Sequence, residues 1–162
     1  MAENPNQAGA ASAEGRLAAL GAELPAPPAA LAAYAPVRVA GRTAFVSGQL
    51  PVQEGVAVYR GRLGAELGTQ DGYRAARLAA VNLLAQLRAA LGSLDAVAQV
   101  DRVAVMVAST PEFAEHPQVA NGASELLASV FGQAGRAARV AYGVASLPLG
   151  AAVEVEAQVT LR

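Results

Sequence analysis

Alternation fixes the last strand of this chain. Val153, Val155, Ala157, Val159 and Leu161 take one side, while Glu154, Glu156, Gln158 and Thr160 take the other. That period of two marks a strand with one buried face, and it commits the chain to a sheet, because the apolar row and the backbone groups both need neighbours. Arg139 opens an earlier strand, and Leu147-Pro148-Leu149-Gly150 is a turn that reverses the chain between the two. The simplest pairing is a hairpin of residues 139–146 with 153–161, with Arg139 opposite about Thr160 and Glu154 opposite about Ala145. At ~3.3 Å per residue this separates Arg139 and Glu154 by about 20 Å along the ribbon. These residues alone allow two readings of the polar face. It is a surface hairpin with an ordinary ion pair, or it lines a site where arginine grips a small carboxylate and a carboxylate handles a proton.

Composition narrows the chemistry. The 162 residues fit one domain, and 54% hydrophobic against 15% charged residues supports a packed core. There is no Cys and no Lys, and His116 is the single histidine. A disulfide framework, a thiol nucleophile, a Schiff base and a P-loop lysine are thereby excluded. A histidine zinc site would draw on several imidazoles, so no metal or cofactor is expected, and His116 in Glu115-His116-Pro117 reads as a solvated turn residue. The net charge is −1, the arginines are scattered, and the seven aromatic side chains include no Trp. That argues against nucleic-acid binding. No stretch is long and apolar enough for a membrane helix. The N-terminus has no basic, then apolar, leader, so the expected location is cytoplasmic.

Along the chain, residues 1–12 read as a flexible tail and 13–162 as one domain. A short helix is expected over 13–22, ended by Gly21 and the rigid Pro25-Ala26-Pro27-Pro28 connector. Val37–Ala40 and Thr43–Ser47 flank Gly41-Arg42 as a hairpin. Residues 51–68 form a turn-rich excursion. A long helix follows with Thr69 as its N-cap and Asp71 in its first turn; Ala76, Ala80, Leu83, Leu87 and Leu91 form its stripe, and Gly92 stops it. Val103–Val107 is a strand covered on both faces. Thr110-Pro111-Glu112 begins a second helix, which runs through Val119, Leu126, Leu127, Val130 and Phe131. The order β-β-α-β-α-β-β predicts an α/β (α+β) domain, a mixed sheet with two long helices on one face. The opposite face then needs a cover, and oligomerisation supplies one.

Three ordered segments carry a family resemblance. Phe45-Val46-Ser47-Gly48-Gln49-Leu50-Pro51 is similar to the motif S-G-Q-[IL]-P, and Asn121 opens the body of the second helix. Ala138-Arg139, Val144–Pro148 and Val153–Ala157 are similar to A-R-x5-A-R-L-P and V-E-I-E-A. Over residues 34–161 the chain resembles a divergent branch of the RidA/YjgF family, the reactive intermediate deaminases also labelled L-PSP endoribonucleases. The resemblance implies a chorismate-mutase-like fold and a homotrimer whose sheets form a central barrel with a pocket at each interface. It implies hydrolysis of small enamine or imine acids, such as 2-aminoacrylate and 2-iminopropionate, to 2-oxo acids and ammonia, without metal or cofactor.

Residue by residue, Arg139 resembles the family's carboxylate-binding arginine and Glu154 the carboxylate that positions or activates water. Tyr34 and Ser47 are similar to the pocket tyrosine and serine. Asn121 is similar to the pocket asparagine, with one residue more between it and Arg139. Ala141 stands where the family has a cysteine edging the pocket. Each also has a structural reading: Tyr34 as packing, Ser47 as a turn residue, Asn121 as an N-cap. The other functional reading is a trimeric binding or sensing module for small carboxylates or 2-oxo acids without turnover.

Overall fold

Small residues decide how closely the longest helix approaches the sheet. In the computed structural model, which describes residues 12–30 and 32–162, Ala75, Ala76, Ala79 and Ala80 are fully buried among Leu83, Leu84 and Leu87. They form the apolar face of a helix lying on a five-stranded sheet.

In chain order the elements are α1 (Ala13–Ala19), β1 (Val37–Ala40), β2 (Thr43–Gln49), β3 (Val52–Gln53), β4 (Val56–Ala57), α2 (Thr69–Leu91), β5 (Val97–Ala108), α3 (His116–Phe131), β6 (Ala138–Val144) and β7 (Val153–Leu161). The main sheet runs β1-β2-β7-β5-β6, and β3-β4 is a separate two-stranded ribbon within the 51–68 excursion. Both long helices lie on one face of this sheet. The core forms between them and the inward rows Val103, Val105, Val107 and Val153, Val155, Val159. The expected mixed sheet with helices on one side is therefore what forms, as is the β1-β2 hairpin. No helix among the described residues is long and apolar enough to cross a membrane.

The tail expected over 1–12 lies outside the described residues except for Ser12. Ser12 belongs to the fold, because its hydroxyl accepts the Gly15 N–H at 3.0 Å and caps α1.

Four local expectations are corrected. First, β6 and β7 do not form a hairpin. The chain leaves β6, turns at Pro148–Gly150 and passes over β5, so that β5 pairs parallel with β6 and antiparallel with β7. Thr160 thus faces Thr43 and Gln99, Glu154 faces Met106, and Arg139 faces Val103. The Val103–Ala108 half of β5 is apolar and largely buried, which suits a strand with neighbours on both sides. Second, the N-cap of α2 is Gly68. Asp71 turns back to accept the Gly68 N–H at 3.0 Å, while the Thr69 hydroxyl donates to Glu115 at 2.8 Å. Third, α3 starts at His116, not at Thr110. The Thr110 N–H goes to Leu63 O and its carbonyl receives Phe113 N–H, which makes Thr110–Phe113 a turn tied to the excursion. Fourth, His116 is not a solvated turn residue. It opens α3 half-buried, with Nε2 3.2 Å from Ser109 Oγ and its ring edge-on to Phe113.

Candidate functional site

The Ser-Gly-Gln segment is a β-bulge. Val46 pairs with Ala157 and Gln49 with Val155, so Ser47 and Gly48 together oppose the single residue Glu156. A bulge turns side chains away from strict alternation and is favoured beside functional sites. Here it turns Ser47 toward the incoming chain: its hydroxyl donates to Ala35 O at 2.8 Å and its N–H to Pro36 O at 2.9 Å. Gly48 leaves room that another residue would fill. A Cβ placed there would overlap the Glu154 carboxylate, so the acid lies directly over the glycine.

Glu154 is half-buried on the sheet face without helices. Burial, and secondarily the charge of Glu156 on the same face, push its pKa above the ordinary carboxylate range. Glu156 itself pairs with Arg102 at 3.2 Å. The arginine beside the paired acids is therefore Arg102, from the intervening strand, and not Arg139.

Beyond the end of β2 opens a cavity of about 1450 Å³. Tyr34, Ser47 and Glu154 line it together with Gln49 and Asn82. Asn82 is fully buried in α2 and donates to Leu50 O and Val52 O, each at 2.9 Å, which fixes the chain after the bulge against the helix. Its Oδ1 has no partner among the described residues. The alternative reading of Ser47 as a turn residue does not hold, because Ser47 lies in the β2 bulge and bonds to the chain before β1; the same residue borders the cavity. Tyr34 remains 43% exposed at that border and so does not act as core packing.

Arg139, Asn121 and Ala141 form a separate group. Arg139 faces Val103, whose side chain is in the core, so it lies on the helix-covered face at the β6 edge. Its Nη1 donates to Asn121 Oδ1 at 2.8 Å and to Ser124 Oγ at 3.2 Å. Asn121 is well inside α3, not its N-cap, and Asn121 and Ser124 are one turn apart on the same helix surface. One end of the guanidinium is thereby held, while Nε and Nη2 have no protein acceptor among the described residues. Ala141, two residues on, shares this face and packs partly against the core.

Within one chain the two groups do not meet. Tyr142, Met106 and Glu154 lie in one row across three strands, and Arg139 is three residues from Tyr142. Two strand spacings and three residues give a Cα separation of about 14 Å. The odd offset also puts the Arg139 and Glu154 side chains on opposite faces. Sequence reading missed Ser124, Gly48 and Asn82. Their signals were the Asn121–Ser124 spacing of three, the glycine inside the first motif, and a lone amide in the apolar run Val81-Asn82-Leu83-Leu84.

With this geometry in hand, similarity to known proteins adds the following. Residues 14–159 match the family model described as "YjgF/chorismate mutase-like, putative endoribonuclease". The chain is 48% identical over 154 residues to Protein TCP17 of Trypanosoma cruzi, covering 92% of this chain and 96% of that protein. It is 43% identical to the protein Atu1372 of Agrobacterium tumefaciens, of unknown function, with TM-score 0.85 and coverage of 97% and 96% of the two chains. It is 38% identical to an endoribonuclease so named, with the qualifier "putative", from Shewanella oneidensis, with TM-score 0.89 and coverage of 93% and 99%.

Proposed function

The chain belongs to the YjgF/chorismate mutase-like family, and from that membership we propose that it deaminates small enamine or imine acids by hydrolysis at a pocket shared between subunits. The observation that carries this reading is the pair of incomplete half-sites on opposite sheet faces. Arg139 offers the free edge of a braced guanidinium, and Glu154 offers a half-buried carboxylate beside Tyr34 and Ser47. Neither half suffices for a small acid, and a neighbouring subunit brings one half to the other.

Arg139 binds the substrate carboxylate bidentately through Nε and Nη2, which fixes the imine carbon. Ionised Glu154 accepts a proton from water as its oxygen bonds to that carbon and the C=N π electrons move to nitrogen. Glu154 passes that proton to the nitrogen, which completes a neutral carbinolamine. It then takes the carbinolamine's hydroxyl proton as the C=O bond forms and gives it to the nitrogen as the C–N bond breaks, leaving the 2-oxo acid and ammonia. Positioning accounts for most of the work, because free imines already hydrolyse in water. Tyr34, Ser47 and Asn121 orient the participants. No metal or cofactor enters this scheme. The endoribonuclease part of the family description finds little support in a chain of net charge −1 with one His.

The test couples a serine or threonine dehydratase to the purified protein. Imine decay should accelerate with stoichiometric 2-oxo acid formation, and Glu154→Gln should abolish the acceleration. Tight 2-oxo acid binding with no acceleration would establish the binding-module reading in its place.

A further inference from the structure

The cavity that holds Glu154 is much larger than a three-carbon acid requires. Such an acid has a volume on the order of three waters, at ~30 Å³ each, whereas the cavity is about 1450 Å³. Besides Glu154, two apolar walls line it. One is α2, which contributes Leu78 and Val81. The other is the segment before Tyr34, which contributes Leu24 and Pro25. Prolines at 25, 27 and 28 leave this second wall without N–H donors at those positions, so it offers ring carbons in place of hydrogen bonds. The wall is also fixed in place, since Gln86, nearly fully buried in α2, donates to Pro28 O at 2.7 Å. The charged residues lining the cavity are all acids, Glu23, Glu54 and Glu154, with no arginine among them.

We infer that this apolar chamber selects the substrate's side chain, so that the site takes imine or enamine acids with an uncharged aliphatic or aromatic side chain of about four or more carbons. This specificity rests on the deaminase reading for its chemistry and on the chamber alone for its size. In the bound state the carboxylate points to Arg139 of the neighbouring subunit, the reacting carbon lies by Glu154, and the tail runs between Leu78, Val81 and Leu24. A second carboxylate on the tail meets glutamates and is rejected.

Equilibrium binding of stable 2-oxo acids tests the chamber without requiring turnover. Across 2-oxobutyrate, 2-oxohexanoate and 2-oxooctanoate, affinity should rise by up to roughly fourfold per methylene, the factor expected for burying each CH₂. The gain should exceed tenfold over the series, and 2-oxoadipate should bind no better than 2-oxobutyrate. Val81→Trp, which fills the chamber, and Leu78→Gln, which makes its wall polar, should each flatten the series. A flat wild-type series overturns the inference. Tighter binding of 2-oxo-5-guanidinopentanoate than of 2-oxohexanoate also overturns it, because the acids and not the apolar walls would then set the preference. Turnover is read separately, on imines released by an amino acid oxidase from the matching amino acids. A rising binding series with no turnover leaves the chamber standing and removes the deaminase reading. A flat series with rapid turnover of the alanine-derived imine does the reverse.

Discussion

Gly48 and Glu154 act as one unit at the residue scale. The glycine matters for the volume it leaves empty, and an added methyl must push the carboxylate aside. The displaced group is the end of a flexible side chain, so Gly48→Ala should leave thermal stability nearly unchanged while imine turnover falls at least tenfold, as enzyme assay and melting curve on one preparation will show. Arg139 makes the complementary case. Lysine keeps the charge but loses the planar fork that holds Asn121 and Ser124 and that, in the proposed site, also grips the substrate carboxylate. Arg139→Lys should therefore weaken 2-oxo acid binding and turnover by one to two orders of magnitude with the fold intact, and near-normal kinetics would remove Arg139 from the clamp. The acid–base prediction follows from burial and Glu156, which both raise the Glu154 pKa. In the proposed scheme the ionised form is the base, so kcat/KM should fall with decreasing pH on a limb centred above the ordinary glutamate value of ~4.3. Glu156→Gln removes the neighbouring charge, and the limb should move to lower pH. An unmoved limb would assign it to another group.

The helix pair sets the geometry at the element scale. Gly122 of α3 lies against the Tyr73 backbone carbonyl of α2, and a Cβ there would collide with main chain, which cannot rotate away. Gly122→Ala should cost about 1–3 kcal/mol in urea unfolding as the helices part. It should also weaken activity, because α3 carries Asn121 and Ser124. The same scale explains what the sequence could reveal. The strand at 153–161, the stripe of α2 and the apolar β5 were legible because each follows from its own periodicity, which a single face against the core imposes. The partner of β7 was not legible. A turn after β6 suits either a hairpin or a crossing over a third strand, and only the demand of β5 for cover on both faces decides between them. The α3 start was misread at Thr110-Pro111 because a proline suits a turn as well as a first helical residue, and the backbone partner of the Thr110 N–H, Leu63, is remote in sequence. Arg139, Glu154 and Ser47 were singled out through motifs, and Tyr34 through its spacing to Ser47. Their division into two groups depends on strand order, which motifs do not encode.

At the scale of the whole molecule, the sheet face opposite the helices carries Phe45, Val140 and Tyr142 at 42%, 37% and 44% exposure beside the Arg102–Glu156 pair. A sheet with one such face is stabilised by packing it against other copies, as in the proposed trimer. Opposite-face placement then has a consequence for activity. If each pocket takes Arg139 from one subunit and Glu154 from the next, Arg139→Ala and Glu154→Ala homotrimers are both inactive, yet their mixtures are not. Around a closed ring of three, any mixed trimer contains one boundary where an intact Arg139 meets an intact Glu154. Random equal mixing makes about three in four trimers mixed, so about a quarter of wild-type activity should return after co-refolding or co-expression. Sedimentation equilibrium should first establish a mass near three chains of 16.3 kDa, and a stable monomer would remove the trimer. Mass spectrometry of intact complexes then verifies that mixed trimers have formed. Activity near a quarter of wild type places Arg139 and Glu154 in one pocket across the boundary. No recovery in verified mixed trimers means that the two residues do not share a pocket, and the hydrolytic scheme built on them fails.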